Sequence, residues 1–159
     1  APMSDENWLE AFLEQIDEAI EAYGWAVRTL DDAEGLSDTP FTHTIGLEEL
    51  GHCEFVVTGL PGAVASRVLN TLCAALVDGT RTWPTPGSSI DDLLSNGYEV
   101  RVLDVDDDIA CDDDRFAAAY ARRGTREGFR VQQLVWQLAD RSWPERDAEH
   151  QPLLGAPWW

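Results

Sequence analysis

Apolar residues recur every three or four positions near the start of the chain, which predicts an amphipathic helix. Ser4 is a suitable N-cap for this helix and Gly24 a suitable end. Most of the positions between the apolar ones are Glu, Asp or Gln, so the outer face is expected to be strongly acidic. The apolar positions are Trp8, Leu9, Phe12, Leu13, Ile16, Ala19, Ile20 and Tyr23.

Short runs rich in β-branched and aromatic residues follow, bounded by glycine, proline or polar turns. The run that begins at Tyr98 continues into Leu103 with a change of alternation that a β-bulge would explain. Strands are predicted over residues 25–30, 41–45, 53–58, 98–102 and 129–138.

A second principal helix is predicted after Pro61, because apolar residues from Val64 to Val77 keep helical spacing and Gly79 can end them. A shorter helix is predicted over 115–123. The segment Ile90 to Leu94 fits a helical turn.

These elements predict one α+β domain over residues 1–159, with a mainly antiparallel or mixed sheet of about five strands and two principal helices packed on it. The acidic run 104–114 is expected to be a loop with a solvated turn that caps the next helix. The Pro- and Trp-rich tail 139–159 shows no clear period, so it is expected to be irregular. Ala1 and Pro2 look like residues left by an expression vector, so Met3 is the expected natural start.

The charge of the chain excludes several classes of partner. Acidic residues number 30 against 11 cations, all of them Arg, which gives a net charge of -19. Phosphate backbones and anionic membranes attract cationic surfaces, so neither a nucleic acid nor a membrane is an expected partner. No signal-peptide pattern is found, and the 3 cysteines form no C-x-x-C pair. A soluble cytoplasmic protein with reduced thiols is therefore expected.

The common catalytic and metal motifs are absent. A P-loop and a Schiff-base mechanism both need Lys, and the chain has none. Asp104, Asp106 and Asp108 match alternate ligands of a calcium-binding EF-hand loop, but Ile109 and Arg115 stand where that loop needs Gly and Glu. No metal and no cofactor are predicted.

The most reactive group of residues is His43, His52, Cys53 and Glu54. Imidazole and thiol side chains suit Zn²⁺, and a Cys beside a His can act as a nucleophile. Neighbours in a strand point to opposite faces, so at most two of the last three could meet His43. The alternative is a turn histidine and a buried thiol, which the lack of closed ligand spacing favours.

Two segments of the sequence resemble a known family. Phe41-Thr-His-Thr-Ile-Gly-Leu47 and Gly51-His-Cys-Glu-Phe-Val-Val-Thr-Gly-Leu60 are similar to the "YTIGL…GHPE…GL" signature of the bacterial family called domain of unknown function 4262. His43, Cys53 and Gln137 depart from its usual residues. The resemblance implies a cytosolic bacterial domain and carries no enzyme class. A fainter likeness to immunity-type and suppressor-of-fused-like domains is an analogy of fold.

The signature suggests a polar pocket. Thr44, His52 and Glu54 are expected at the sheet edge, with Gln133 and Trp136 on a neighbouring strand. If the pocket is catalytic, His52 and Glu54 are the candidate acid and base. The candidate binding residues are His43, Thr44, Gln133 and Trp136.

Two functions follow as hypotheses. The first is a protein-binding accessory or immunity-type module whose acidic surface recognises a basic partner. The alternative is a small enzyme or modification-pathway component that binds a small molecule in the pocket around His43, His52, Glu54 and Gln133. Mimicry of a nucleic acid and adaptation to high salt are further explanations of the charge.

The tryptophans of loop and tail either pack on the domain or form a recognition surface. They are Trp83, Trp143, Trp158 and Trp159.

Overall fold

The computed structural model describes residues 5–30, 39–146 and 148–159. The predicted cap Ser4, the expected start Met3 and the side chains of Trp8 and Leu9 lie outside what it describes. The helices are α1 (Asp5–Tyr23), α2 (Gly62–Val77), α3 (Asp107–Asp112) and α4 (Ala117–Arg123). The strands are β1 (Ala26–Leu30), β2 (Phe41–Ile45), β3 (Glu54–Thr58), β4 (Ser89–Ile90), β5 (Val100–Asp104) and β6 (Val131–Trp136). Short 3₁₀ helices cover Leu47–Leu50, Ser95–Gly97 and Asp114–Phe116.

The strands form one sheet in the order β1-β2-β3-β6-β5-β4. β3 and β6 run parallel, and the other neighbouring pairs are antiparallel. The prediction of an α+β fold with a mixed sheet is therefore confirmed. The additional strand is β4, which pairs with β5 where a helical turn was expected.

Helices cover both faces of the sheet. α2 packs on one face through side chains such as Leu69 and Leu72, which meet Phe55 of β3. The other face packs against α1 and α4, with Ile16 and Phe116 in its core. The backbone N–H of Gly24 donates to the carbonyl of Ile20 at 2.8 Å and ends α1 at the predicted place.

Burial on both faces explains why the predicted bulge before Leu103 is wrong. The pairing of β5 with β6 runs without interruption from Val100 to Asp104. Val102 is buried on the side of α2 and Leu103 on the opposite side. Two consecutive apolar residues therefore need no change of register.

The acidic run 104–114 is not wholly irregular, because it contains α3. Ala110 is buried in the core and Ile109 packs partly against it, which holds this short helix on the domain. The Asp113 carboxylate accepts a hydrogen bond from the backbone N–H of Arg115 at 3.0 Å and so caps the 3₁₀ turn that precedes α4.

The tail has no helix or strand among its described residues, as predicted, but it packs closely on the sheet. Leu153 and Leu154 are buried, and the Leu154 carbonyl accepts a hydrogen bond from the N–H of Asp106 at 2.9 Å. No helix in the described part of the chain is long and apolar enough to cross a membrane.

Candidate functional site

A buried carboxylate organises the chain between β2 and β3. Glu54 is the first residue of β3, and its side chain accepts four hydrogen bonds. The Thr44 hydroxyl donates at 2.9 Å, and the backbone N–H groups of Gly46, Leu47 and Glu48 donate at 3.1 Å each. Glu54 therefore satisfies the free N–H groups at the start of the 3₁₀ helix, which is called the Leu47–Leu50 turn below.

Only glycine fits at position 46, because the backbone there is left-handed and a side chain would have no space. The φ of Gly46 is 106°, a left-handed conformation that side-chain-bearing residues rarely adopt. A Cβ at this position would also lie 2.9 Å from side-chain atoms of Ile20 in α1. Thr44 ties the two strands further, since its hydroxyl oxygen accepts a hydrogen bond from the Phe55 N–H at 2.9 Å.

Burial raises the pKa of Glu54 to about 7, although hydrogen bonds from the Glu48 N–H, the Thr44 hydroxyl and the Leu47 N–H act to lower it. The side chain is 2% exposed, so loss of hydration is the larger effect. A carboxyl group that titrates near neutral pH can in principle exchange a proton with a ligand.

A cavity of about 550 Å³ opens beside this carboxylate. It lies between the Leu47–Leu50 turn on one side and the C-terminal part of α4 with the following loop on the other. Its volume is within the range of small-molecule sites. The lining residues are Ile45, Gly46, Glu48, Glu49, Gly51, His52, Glu54, Ala119, Arg122, Arg123, Thr125, Gly128 and Arg130.

Ion pairs neutralise part of the charge in this lining. Arg123 Nε lies 2.5 Å from Glu48 Oε2, and Arg122 Nε lies 2.9 Å from Glu49 Oε2. Arg130 differs: its side chain is exposed and forms no ion pair with any residue in the described ranges. Its backbone N–H donates to Glu48 Oε1 at 3.2 Å, which fixes its position at the cavity.

His52 is held flat against an aromatic ring. Its imidazole stacks on Trp83 with the ring centres 3.6 Å apart and the planes 6° from parallel. Trp83 lies in turn 6.3 Å from the Phe55 ring, again nearly parallel. The stack fixes the plane of the imidazole where it lines the cavity together with Glu54.

His43 lies elsewhere on the same sheet, in an aromatic cluster. It is fully buried, with the rings of Phe41 at 5.9 Å and Phe116 at 5.2 Å. Nδ1 lies 3.1 Å from the Thr44 carbonyl, so this nitrogen carries the hydrogen in the neutral ring. Nε2 has no partner in the described part of the chain. Burial lowers the pKa of His43 to about 4, so the ring is neutral at physiological pH.

Gln133 and Trp136 hold the tail. Gln133 Nε2 donates to Thr58 Oγ1 at 3.1 Å and to the Pro152 carbonyl at 3.0 Å. Its Oε1 accepts from the Leu154 N–H at 2.7 Å. The Trp136 indole N–H donates to the Thr58 carbonyl at 2.8 Å. Every polar atom of the Gln133 side chain is therefore used in packing the tail on β3 and β6.

The structure thus brings together only part of the predicted pocket. His52 and Glu54 both line the cavity, and the Thr44 hydroxyl donates a hydrogen bond to Glu54. His43 and Gln133 line none of it. The sequence reasoning missed the basic wall, although Arg122 and Arg123 stand at the end of a predicted helix; nothing in their spacing indicated which loop they would face.

The thiol beside this site is not activated. Burial raises the pKa of Cys53 to about 11, so it is a neutral thiol at physiological pH. All three cysteines are free. Within the described residues, no group of three or more His, Cys, Asp or Glu side chains could hold a metal ion.

An exposed apolar patch lies where the ends of α1 and α2 meet the Leu47–Leu50 turn. A Cβ on Gly24 would lie 3.6 Å from Val77 and 3.9 Å from Leu50, so the ends of α1, α2 and the turn meet there. Tyr23 is 68% exposed, Leu50 47% and Val77 41%. These three side chains are called the apolar patch below. Acidic residues adjoin it along the chain, and each of these is exposed: Glu21, Glu49 and Asp78.

The tail tryptophans form a second aromatic cluster, and the side chain of Arg101 packs against its rings. The Arg101 guanidinium lies 4.0 Å from the centre of the Trp143 ring, 4.9 Å from Trp158 and 5.2 Å from Trp159. The Trp158 indole N–H also donates to the Val102 carbonyl at 3.1 Å. The tail aromatics therefore pack on the domain, which was one of the two expected outcomes.

Comparison with known proteins gives a family and nothing more specific. The model of the family described as domain of unknown function (DUF4262) matches residues 19–149. No curated protein and no solved structure matches the chain.

Proposed function

We propose that this chain, which belongs to the DUF4262 family, is a protein-binding accessory domain that binds a basic partner through the apolar patch and its acidic surroundings. The apolar patch is the observation that carries the proposal. Three of the five exposed large hydrophobic side chains in the described residues belong to it: Leu50 and Val77 lie beside Gly24, and Tyr23 precedes Gly24 in the chain. The other two are tryptophans of the Arg101 cluster.

Burial of the apolar patch would provide the binding affinity, and the carboxylates around it would provide specificity for a basic partner. Covering an exposed apolar side chain is worth about 1.5–3 kcal/mol when the burial is complete. The neighbouring carboxylates of Glu21 and Asp78 would attract Lys or Arg side chains at the rim of the interface. This arrangement favours a partner that presents an apolar centre with basic residues around it.

The net charge makes a second copy of the chain a poor occupant. Two molecules of charge -19 repel each other, and the patch itself carries no cation to offset this. A basic protein is attracted by the same charge, and its association is accelerated at low salt. An accessory or immunity-type role requires this kind of binding.

The alternative role, catalysis by His52 and Glu54, stays a prediction. Their common cavity supports it, whereas the burial of His43 and Gln133 away from that cavity removes two of the four groups on which it was based.

The proposal is tested by photo-crosslinking in cells of the organism that encodes the chain. Leu50 is replaced by the photoreactive residue benzoylphenylalanine, and the control carries it at Arg67, which is exposed on α2. We expect a crosslink from position 50 to a segment rich in Lys or Arg, with a yield that falls in lysates at high salt. A second variant with Tyr23→Ser and Val77→Ser should lose the adduct.

Two results would overturn the proposal. One is the same set of adducts from positions 50 and 67, which would indicate random collision. The other is an adduct at position 50 that joins two copies of the chain or that persists unchanged in the Tyr23→Ser, Val77→Ser variant.

A further inference from the structure

We infer that the cavity beside the Leu47–Leu50 turn is a binding site for a small organic anion, whose carboxylate or phosphate group pairs with Arg130. This site is separate from the apolar patch and does not depend on the function proposed for it.

The distribution of charge sets the cavity apart from the rest of the molecule. Its lining contains three of the chain's 11 cationic residues and only three of its 30 acidic residues. Cations and anions are thus equal in number here, in a chain that carries nearly three acids for each cation. An anion therefore meets less repulsion at this cavity than the average composition of the chain would produce.

The internal pairing of these residues leaves one cation without an acidic partner. Glu48 is paired with Arg123, and Arg122 is paired with both Glu49 and Asp17. The Glu54 carboxylate accepts four hydrogen bonds from protein groups, so its oxygens have little capacity left for a ligand cation. Arg130 alone in the lining has a guanidinium without an anionic partner in the described residues. Guanidinium groups bind carboxylate and phosphate oxygens through two parallel N–H donors.

The remaining wall fits the uncharged part of an organic ligand. Gly46, Gly51 and Gly128 present backbone without side chains, which allows close approach. Ile45 and Ala119 give apolar contact in the lining of the cavity. The His52 ring, fixed in its plane by Trp83, supplies a hydrogen-bonding group that can donate or accept.

The experiment is a titration of the full chain followed by amide NMR, at constant ionic strength. The probes are acetate, inorganic phosphate and phenyl phosphate, with tetramethylammonium as the cationic control. We expect saturable shifts of the Gly46, Gly51 and Gly128 amides with at least one anion and none with the cation. Tighter binding of acetate than of the phosphates would indicate a carboxylate ligand, and the reverse order a phosphate ester.

Arg130→Gln is the decisive variant, because its exposed side chain can be changed without disturbing the core. We expect it to weaken anion binding by about tenfold or more, the size expected for loss of a charge-assisted contact. Arg67→Gln is the matched control, since it removes the same charge from α2 on the opposite face of the sheet. It should change the affinity by less than about twofold, because charges at that distance are screened.

The inference is overturned if none of the three anions gives a saturable response, or if the two Arg variants weaken binding equally. Binding of tetramethylammonium at these amides would overturn it as well. Replacement of Tyr23 and Val77 by Ser should leave the anion affinity unchanged, so failure at the cavity and failure at the apolar patch are separately observable.

Discussion

Glu54 and His43 make an instructive pair, because both are buried ionisable residues on one face of the sheet. His43 pairs with Val56 across β2 and β3, and Glu54 lies two residues from Val56, so the two side chains point the same way. Glu54 adjoins the cavity and accepts four hydrogen bonds. His43 sits among aromatic rings, with its Nδ1 near the Thr44 carbonyl and its Nε2 without a hydrogen-bond partner among the described residues.

The contrast shows that local surroundings determine which of two candidate site residues lies at the cavity and which is only packed in the core. Burial disfavours the charged form of each, so it raises the pKa of Glu54 to about 7 and lowers that of His43 to about 4. Glu54 adjoins the cavity and is held by four hydrogen bonds, whereas His43 lines no part of that cavity. Only Glu54 of the pair therefore borders a space that could hold a ligand, and His43 serves as a packed aromatic ring.

The largest effect on stability is expected from removal of the Glu54 carboxylate. Glu54→Ala leaves the Thr44 hydroxyl and three backbone N–H groups, two of them in buried hydrogen bonds and one in a part-buried one, without their acceptor. We expect the free energy of unfolding to fall by about 4 kcal/mol, because each unsatisfied buried donor costs about 1–3 kcal/mol. Urea unfolding at pH 7 measures this.

The matched control is Glu49→Ala, which removes only an exposed ion pair with Arg122. It should cost less than about 1 kcal/mol. If the two variants were equally stable, the Glu54 carboxylate would not be what organises the Leu47–Leu50 turn.

Lowering the pH should reduce the stability of the folded chain through His43. The unfolded His titrates near 6.5 and the folded one at about 4, so the unfolded chain binds the extra proton between these values. Stability due to the neutral ring is complete above pH 6.5 and is lost as the pH falls towards 4. Relative to His43→Phe, the wild-type chain should lose about 3 kcal/mol over this window.

Urea unfolding of both proteins from pH 4 to pH 8 measures the difference. The carboxylates titrate in both chains, so their contribution cancels. At pH 8 the two proteins should differ by less than about 1.5 kcal/mol, since Phe also fits an aromatic cluster. A difference that did not change with pH would show that His43 is accessible to protons in the folded state.

The smallest of these effects is expected at Gln133, which is buried like the pair but uncharged. Gln133→Leu removes the acceptor of the Leu154 N–H and two bonds to Thr58 and Pro152, and we expect a loss of about 2 kcal/mol. Limited proteolysis should then cleave the tail first. Gln132→Leu is the control, since Gln132 Oε1 has no partner in the described residues. Equal proteolysis of both variants would contradict the assigned role.

Local pattern was sufficient for much of the fold. The alternation of 41–45 and the helical spacing from Val64 to Val77 depend on neighbours in sequence, and both elements form as predicted. The sequence did not indicate β4, because two residues carry no period and their pairing depends on β5. The absence of a bulge at Leu103 followed from layers on both faces, which no single strand reveals.

The candidate site was less predictable for a related reason. His52 and Glu54 are close in sequence and stay close in space, so the signature located them together. Arg122 and Arg130 reach the same cavity from α4 and the loop beyond it, and that approach depends on packing across the sheet. Gln133 looked like a pocket residue because its strand neighbours β3, but its side chain is taken up by the tail.

The place of β6 in the sheet has a consequence for synthesis on the ribosome. β6 lies between β3 and β5, and Gln133 bonds to Thr58 across a separation of 75 residues. The strands β1 to β3 therefore leave the ribosome long before the strand that completes their sheet. During that interval the open edge of β3 exposes backbone donors and acceptors, as any unpaired strand does. The abundant carboxylates of α1, which is made before these strands, would keep such nascent chains apart by repulsion.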